Sequence, residues 1–140
     1  MGYELIWEPR GVLKRFYGQV TNRDIADSVA QIHGDRRFDT LRYVINDFPD
    51  GTGHDVPLHA VEEIAAIDDA AAISNPHIRV ALVAAIPDFI ELANQYAGST
   101  LKIYPTRVFR LWTRPGSGST PGCRPPSRLA PSRPGRRRPA

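Results

Sequence analysis

Seven polar side chains crowd into a short stretch of this chain: Asn46, Asp47, Asp50, Thr52, His54, Asp55 and His59. Carboxylates interleaved with imidazoles could transfer protons, hold a divalent metal or grip a partner. The spacing narrows the choice. His54 falls in an expected loop and His59 in the first turn of an expected helix, a separation that matches no closed or catalytic zinc site. Asp50-Gly51-Thr52-Gly53 is not the Asp-Thr-Gly of an aspartic protease, which also needs a second carboxylate to share its proton. The chain has no Gly-x-Ser-x-Gly elbow and no phosphate-cradling loop. Helix capping and solvated loop chemistry account for these polar residues more simply than catalysis does, so neither a metal site nor a cofactor is expected. His33 ends a helix, where a cation complements the dipole, and His77 begins a strand, so both read as structural. Trp7, Phe16, Tyr17 and Tyr43 fall on strands, where aromatics usually mean core.

The elements that must position this cluster alternate along the chain. Tyr3 to Glu8 and Gly11 to Tyr17 read as two strands joined by a tight turn at Pro9-Arg10, pairing antiparallel. Thr21 can cap a helix whose third residue, Asp24, completes a capping box, with Ile25, Val29 and Ile32 as its apolar stripe and Gly34 as its stop. Leu41 to Phe48 is mostly apolar, as a strand covered on both faces must be. A polar loop follows, made mobile by Gly51 and Gly53. Pro57 then opens a helix with Leu58, Val61, Ile64, Ala65 and Ile67 facing inward, ending before Asn75-Pro76. Ile78 to Ala84 is a buried strand, and Pro87-Asp88 open a helix with Phe89, Leu92, Ala93 and Tyr96 on one face, closed by Gly98. Arg107 to Arg110 make a short last strand. The order β-β-α-β-α-β-α-β specifies an α/β fold: a mixed sheet of about five strands with helices packed on it.

The net charge of +3 conceals two different regions in the 140 residues. Residues 1–110 carry 11 Lys/Arg against 15 Asp/Glu, a balance of −4, which argues against nucleic-acid binding by the folded domain. Residues 111–140 carry seven Arg, no acid and seven of the 13 prolines, a composition that reads as a disordered tail. Arg136-Arg137-Arg138 is its densest point. The lone Cys123 lies there, so no disulfide framework is available. Read one base earlier with permitted synonymous codons, Trp112 to Gly122 becomes Leu-Asp-Glu-Ala-Arg-Glu-Trp-Leu-Asp-Ala-Arg, an amphipathic helix. The favoured reading is a frameshift near Leu111 that replaced a terminal helix. The sheet face left bare would make the chain marginally stable or a homodimer. No run approaches the roughly 18 apolar residues that span a bilayer, and no targeting signal opens the chain, so a cytoplasmic protein without membrane contact is expected.

Arg42-Tyr43-Val44-Ile45-Asn46-Asp47-Phe48, Arg79-Val80-Ala81-Leu82-Val83, Pro87-Asp88-Phe89-Ile90-Glu91-Leu92-Ala93 and Tyr104-Pro105-Thr106-Arg107-Val108-Phe109 occur in an order that resembles the STAS-like family, the bacterial anti-sigma-factor antagonists and the related domains attached to anion transporters. The resemblance covers about residues 3–110. It implies a regulatory domain whose partner is a kinase or an anti-sigma-like protein, and whose serine, in an Asp-Ser-Ser-Gly-like motif, is phosphorylated as a switch. The matching aspartate is Asp55, followed here by Val56-Pro57-Leu58, so the usual acceptor is absent and Thr52 is the nearest hydroxyl. Three function classes follow. The first is a non-enzymatic protein-interaction domain using Asp47, Asp50, Thr52, His54, Asp55 and His59. The second is a carrier of a small molecule or lipid, because the Ala-rich helix from Ala60 to Ala72 leaves room beside the sheet. The third is a hydrolase built on Asp47, His54, Asp55 and His59.

Overall fold

The structure, a computed structural model, describes residues 2–111. The readings of the tail, Cys123 and the frameshift included, lie outside them. The elements are β1 (Gly2–Glu8), β2 (Gly11–Val20), α1 (Asn22–His33), β3 (Tyr43–His54), α2 (Leu58–Ala71), β4 (Arg79–Ala84), α3 (Pro87–Ala97) and β5 (Thr106–Arg110). A single 3-10 segment, Arg36–Thr40, precedes β3.

The five strands form one mixed sheet in the order β1-β2-β3-β4-β5. β1 and β2 are the expected antiparallel hairpin, in register from Gly2 opposite Tyr17 to Glu8 opposite Gly11, and every later pair is parallel. Each helical crossover moves one strand over in the same direction. Right-handed crossovers then place α1, α2 and α3 on the same face of the sheet. The packing agrees: Ile32, Ala60, Val61, Ala65, Phe89 and Leu92 share one core with Val12, Phe16, Phe48, Val80 and Leu82. Alternation along the strands sends Leu13, Ile45 and Val83 to the opposite face, where they pack with Tyr43, Ala81, Phe109 and Leu111.

Local sequence explains most boundaries. The Asp24 amide donates to Thr21 Oγ1 at 3.0 Å and the Thr21 amide donates to Asp24 Oδ2 at 2.9 Å, a reciprocal box worth about 1 kcal/mol. The Gly34 amide closes α1 on the Ala30 carbonyl at 3.0 Å. In the core, Phe16, Phe48 and Phe89 stack in series, with centroids 4.9 Å apart at each step and interplanar angles of 16° and 15°.

Three expectations change. The polar stretch after Phe48 is not a mobile loop, because β3 runs on to His54, with Gly51 paired to Gly18 and Gly53 to Gln19 of β2. The glycines serve close approach: a Cβ at Gly51 would lie 2.8 Å from the Phe89 ring. Leu58 and Ile67 point outward, 52% and 46% exposed. The buried stripe of α2 is Ala60, Val61 and Ala65, and at about 100° per residue Leu58 and Ile67 lie roughly a quarter turn to either side of it. Of the four strand aromatics, Phe16 alone is fully buried. Tyr17 and Tyr43 lie on the outer face, and the half-buried Trp7 is covered by the Arg37 guanidinium at 3.9 Å.

Candidate functional site

The predicted cluster divides between three settings. Asp47 is buried, opposite Arg15 on the outer face of the sheet. Asp50, further along β3, is exposed and takes Arg15 Nε at 2.9 Å and Nη2 at 2.8 Å on Oδ2, while Arg15 Nη1 reaches Glu4 Oε1 at 3.4 Å. Asp55 Oδ1 accepts the backbone N–H of Asn22 at 3.0 Å, tying the end of β3 to the first turn of α1. His54 Nδ1 accepts the Val56 amide at 3.0 Å, so the proton sits on Nε2, which donates to the Asp88 carbonyl at 3.2 Å. Its ring lies 5.3 Å from that of Phe89. Thr52 and His59 are exposed, on β3 and α2.

These positions do not assemble a reaction centre. Both His54 nitrogens are engaged by backbone groups, which leaves no lone pair for a proton or a metal, and Asp50 and Asp55 already hold donors. Among the described residues no group of three or more His, Cys, Asp or Glu side chains converges as a metal would require. The stretch acts as a rim that fastens β3 to β2, α1 and α3.

The helix-facing side of the sheet is different. In β2 the alternation Val12, Lys14, Phe16 turns Lys14 toward the helices, and in β3 the alternation Val44, Asn46, Phe48 does the same for Asn46. The two are paired in register on neighbouring strands. Lys14 is 4% exposed and Asn46 is 9% exposed. Among the described residues neither side chain makes a hydrogen bond or an ion pair, and the Lys14 ammonium lies over the Phe16 ring, 5.6 Å from its centroid. Both line a cavity of about 80 Å³ between the sheet and the three helices, whose walls are otherwise mostly apolar.

The other polar groups of this cavity are satisfied. Asp68, on the inward stripe of α2, takes the Tyr96 hydroxyl on Oδ2 at 2.5 Å and faces His33 Nε2 at 3.3 Å. Tyr104 donates to the Asn75 carbonyl at 2.9 Å. The buried Asn75 in turn bridges the carbonyls of Phe38 and Leu41 at 2.8 and 3.0 Å and takes the His77 amide at 3.0 Å. Burial pushes the Lys14 ammonium down from 10.5 to about 8, only partly opposed by the Asp68 charge. Burial and then Asp68 push the Tyr96 phenol up, and the same causes raise Tyr104 to about 12.

The polar density of residues 46–59 does not mark this second site. Its signal is a lysine and an asparagine at inward positions of two alternating strands, with an aspartate in the inward stripe of a helix. No family model matches this chain, and none of the curated proteins or solved structures matches it.

Proposed function

We propose that this chain is a binding domain without catalytic chemistry of its own, and that a small molecule binds in the cavity between the sheet and the helices. The observation that carries the reading is the pair Lys14 and Asn46, buried side by side against an apolar hollow with no hydrogen-bonding partner among the described residues. Leaving a buried polar group unsatisfied costs about 1–3 kcal/mol, and more when it is charged. A ligand that supplies the missing partners recovers part of that. A mostly apolar pocket with a few converging polar groups is also the common form of a small-molecule site.

The test is a methyl-region NMR titration of the full chain with 1-butanol. Shifts confined to Val44, Val61, Ile64 and Leu92 are expected, and shifts scattered over the surface, or none, would remove the cavity from consideration.

A second reading keeps the regulatory, protein-binding role that the resemblance to the STAS-like family implies, and the element order supports it. The specific observation in its favour is the exposure of Leu58 and Ile67 on α2, close in sequence to exposed Thr52, Asp55 and His59. In this reading the rim and the outer side of α2 meet a kinase or an anti-sigma-like partner, with Thr52 as the available hydroxyl. The two readings are compatible, because α2 forms one wall of the cavity and carries the exposed Leu58 and Ile67 on its two flanks.

A further inference from the structure

We propose that the cavity is a site for a short-chain aliphatic carboxylate, its carboxylate held by the Lys14 ammonium and the Asn46 amide and its alkyl body lying against the apolar wall. This inference rests on the reading that the cavity holds a small molecule, and it names the class of that molecule.

Charge selects an anion. Lys14 is the cation at the cavity that lacks an acceptor among the described residues. Asp68 does not supply one: its oxygens face the Tyr96 hydroxyl and His33, and no hydrogen bond or ion pair joins it to Lys14 among the described residues. An amine ligand would set a second positive charge beside the first, in surroundings where charge repulsion is poorly screened. A carboxylate offers two oxygens, one for the ammonium and one for an Asn46 N–H, and charge-assisted hydrogen bonds of this kind are the strong ones.

Size and wall chemistry select a short alkyl chain. A dry cavity of roughly 150 Å³ accommodates benzene. The smaller cavity here, about 80 Å³, suits a body of a few carbon atoms. Val44, Val61, Ile64 and Leu92 offer such a body no hydrogen bonds, which disfavours phosphates, sugars and dicarboxylates, because each would bury further polar groups without partners.

The test is calorimetric and NMR titration of the full chain with sodium butyrate, butyramide and 1-butanol, repeated on Lys14→Met and Asn46→Asp. Lys14→Met keeps the length and apolar stem of the side chain. Asn46→Asp gives Lys14 an internal carboxylate. Circular dichroism confirms that each variant is folded. Butyrate is expected to bind at least tenfold more tightly than butyramide, and each substitution should weaken butyrate at least tenfold and weaken 1-butanol by a clearly smaller factor, since the alcohol carries no charge. Butyramide binding as tightly as butyrate, or butyrate binding unaltered in both variants, would overturn the carboxylate while leaving the cavity reading in place. Failure of all three probes to bind would overturn both.

Discussion

At Lys14 and Asn46 the sheet turns polar side chains inward, under the helices, where neither has a hydrogen bond among the described residues. At Asp50, Thr52 and Asp55 the same sheet turns them to solvent, where the two carboxylates hold donors. Both regions use neighbouring strands β2 and β3, and both contain a cation with a carboxylate in the vicinity. Water makes the difference. On the rim, Arg15 and Asp50 exchange solvation for a contact of similar worth, so the pair contributes little. Inside, Lys14 has given up its solvation for the face of one aromatic ring. The inner pair is therefore a store of unsatisfied hydrogen bonding that a ligand can use, and the rim is a set of ties that are already made.

Phe89 joins the two regions, and removing it should have the largest effect. Its ring is fully buried, stacks on Phe48 in the core, fills the space that Gly51 leaves open and lies beside His54 on the rim. Phe89→Ala should cost about 3–5 kcal/mol of stability, measured by urea unfolding. Amide exchange at Gly51 to His54 should accelerate more than at Tyr43 to Asp47, which β4 also holds. Unchanged protection at Gly51 to His54 would mean that β2 pairing alone secures the rim and that the two regions are independent.

Lys14 gives the next largest effect, and its sign sharpens the contrast. The ammonium is pushed from 10.5 down to about 8, so between these values the unfolded chain binds a proton that the folded one does not. Stability then rises with pH through that window. At pH 7 the folded state carries a penalty of roughly 3 kcal/mol, at 1.36 kcal/mol per pH unit. Above pH 10 the trend reverses, because Tyr96 and Tyr104 are held above their ordinary value and the unfolded tyrosines ionise first. Urea midpoints should therefore climb from about pH 8 to about pH 10 and fall beyond it. Lys14→Met should be more stable than the parent at pH 7 and should lose the climb while keeping the fall. A parent profile that is flat between pH 8 and 9.5 would show that Lys14 has found an acceptor.

How legible each region was follows from the physics that shapes it. The hairpin, the Thr21 box, Gly34, Pro87 and Gly98 could be read directly, because caps and turns depend on residues close in sequence. The mixed sheet was legible as well, but the strand order and the single helical layer were not, because crossover handedness fixes the helix face only once the order of the strands is known. The end of β3 was misread, since Pro49, Asp50, Gly51 and Gly53 have poor strand propensity and pairing with the long β2 keeps them extended. Leu58 and Ile67 were placed inward because an apolar residue a quarter turn off the stripe cannot be told from one on it without knowing the tilt of the helix. The polar count drew attention to the rim, whereas the inner site rests on single polar residues in apolar stripes, which add almost nothing to local polarity.

The smallest effects should come from the rim itself. Asp50→Ala removes the partner of Arg15, but both side chains are more than a third exposed and Arg15 keeps Glu4 within 3.4 Å, so the loss should stay below about 1 kcal/mol. Asp55→Ala frees the Asn22 amide in the first turn of α1, where Thr21 and Asp24 already form a cap, and a loss of about 0.5–1 kcal/mol is expected. Asp47 is excluded from this class: it is buried among outer-face residues, and its replacement by Ala should cost more than either of the other two. Because Asp50→Ala and Asp55→Ala leave the fold nearly intact, they can ask whether the rim binds a protein. If it does, capture of a partner on immobilised chain should weaken in both variants and persist in Lys14→Met. Capture lost in Lys14→Met but retained in the rim variants would place protein binding under the control of the cavity and leave the rim a structural seam.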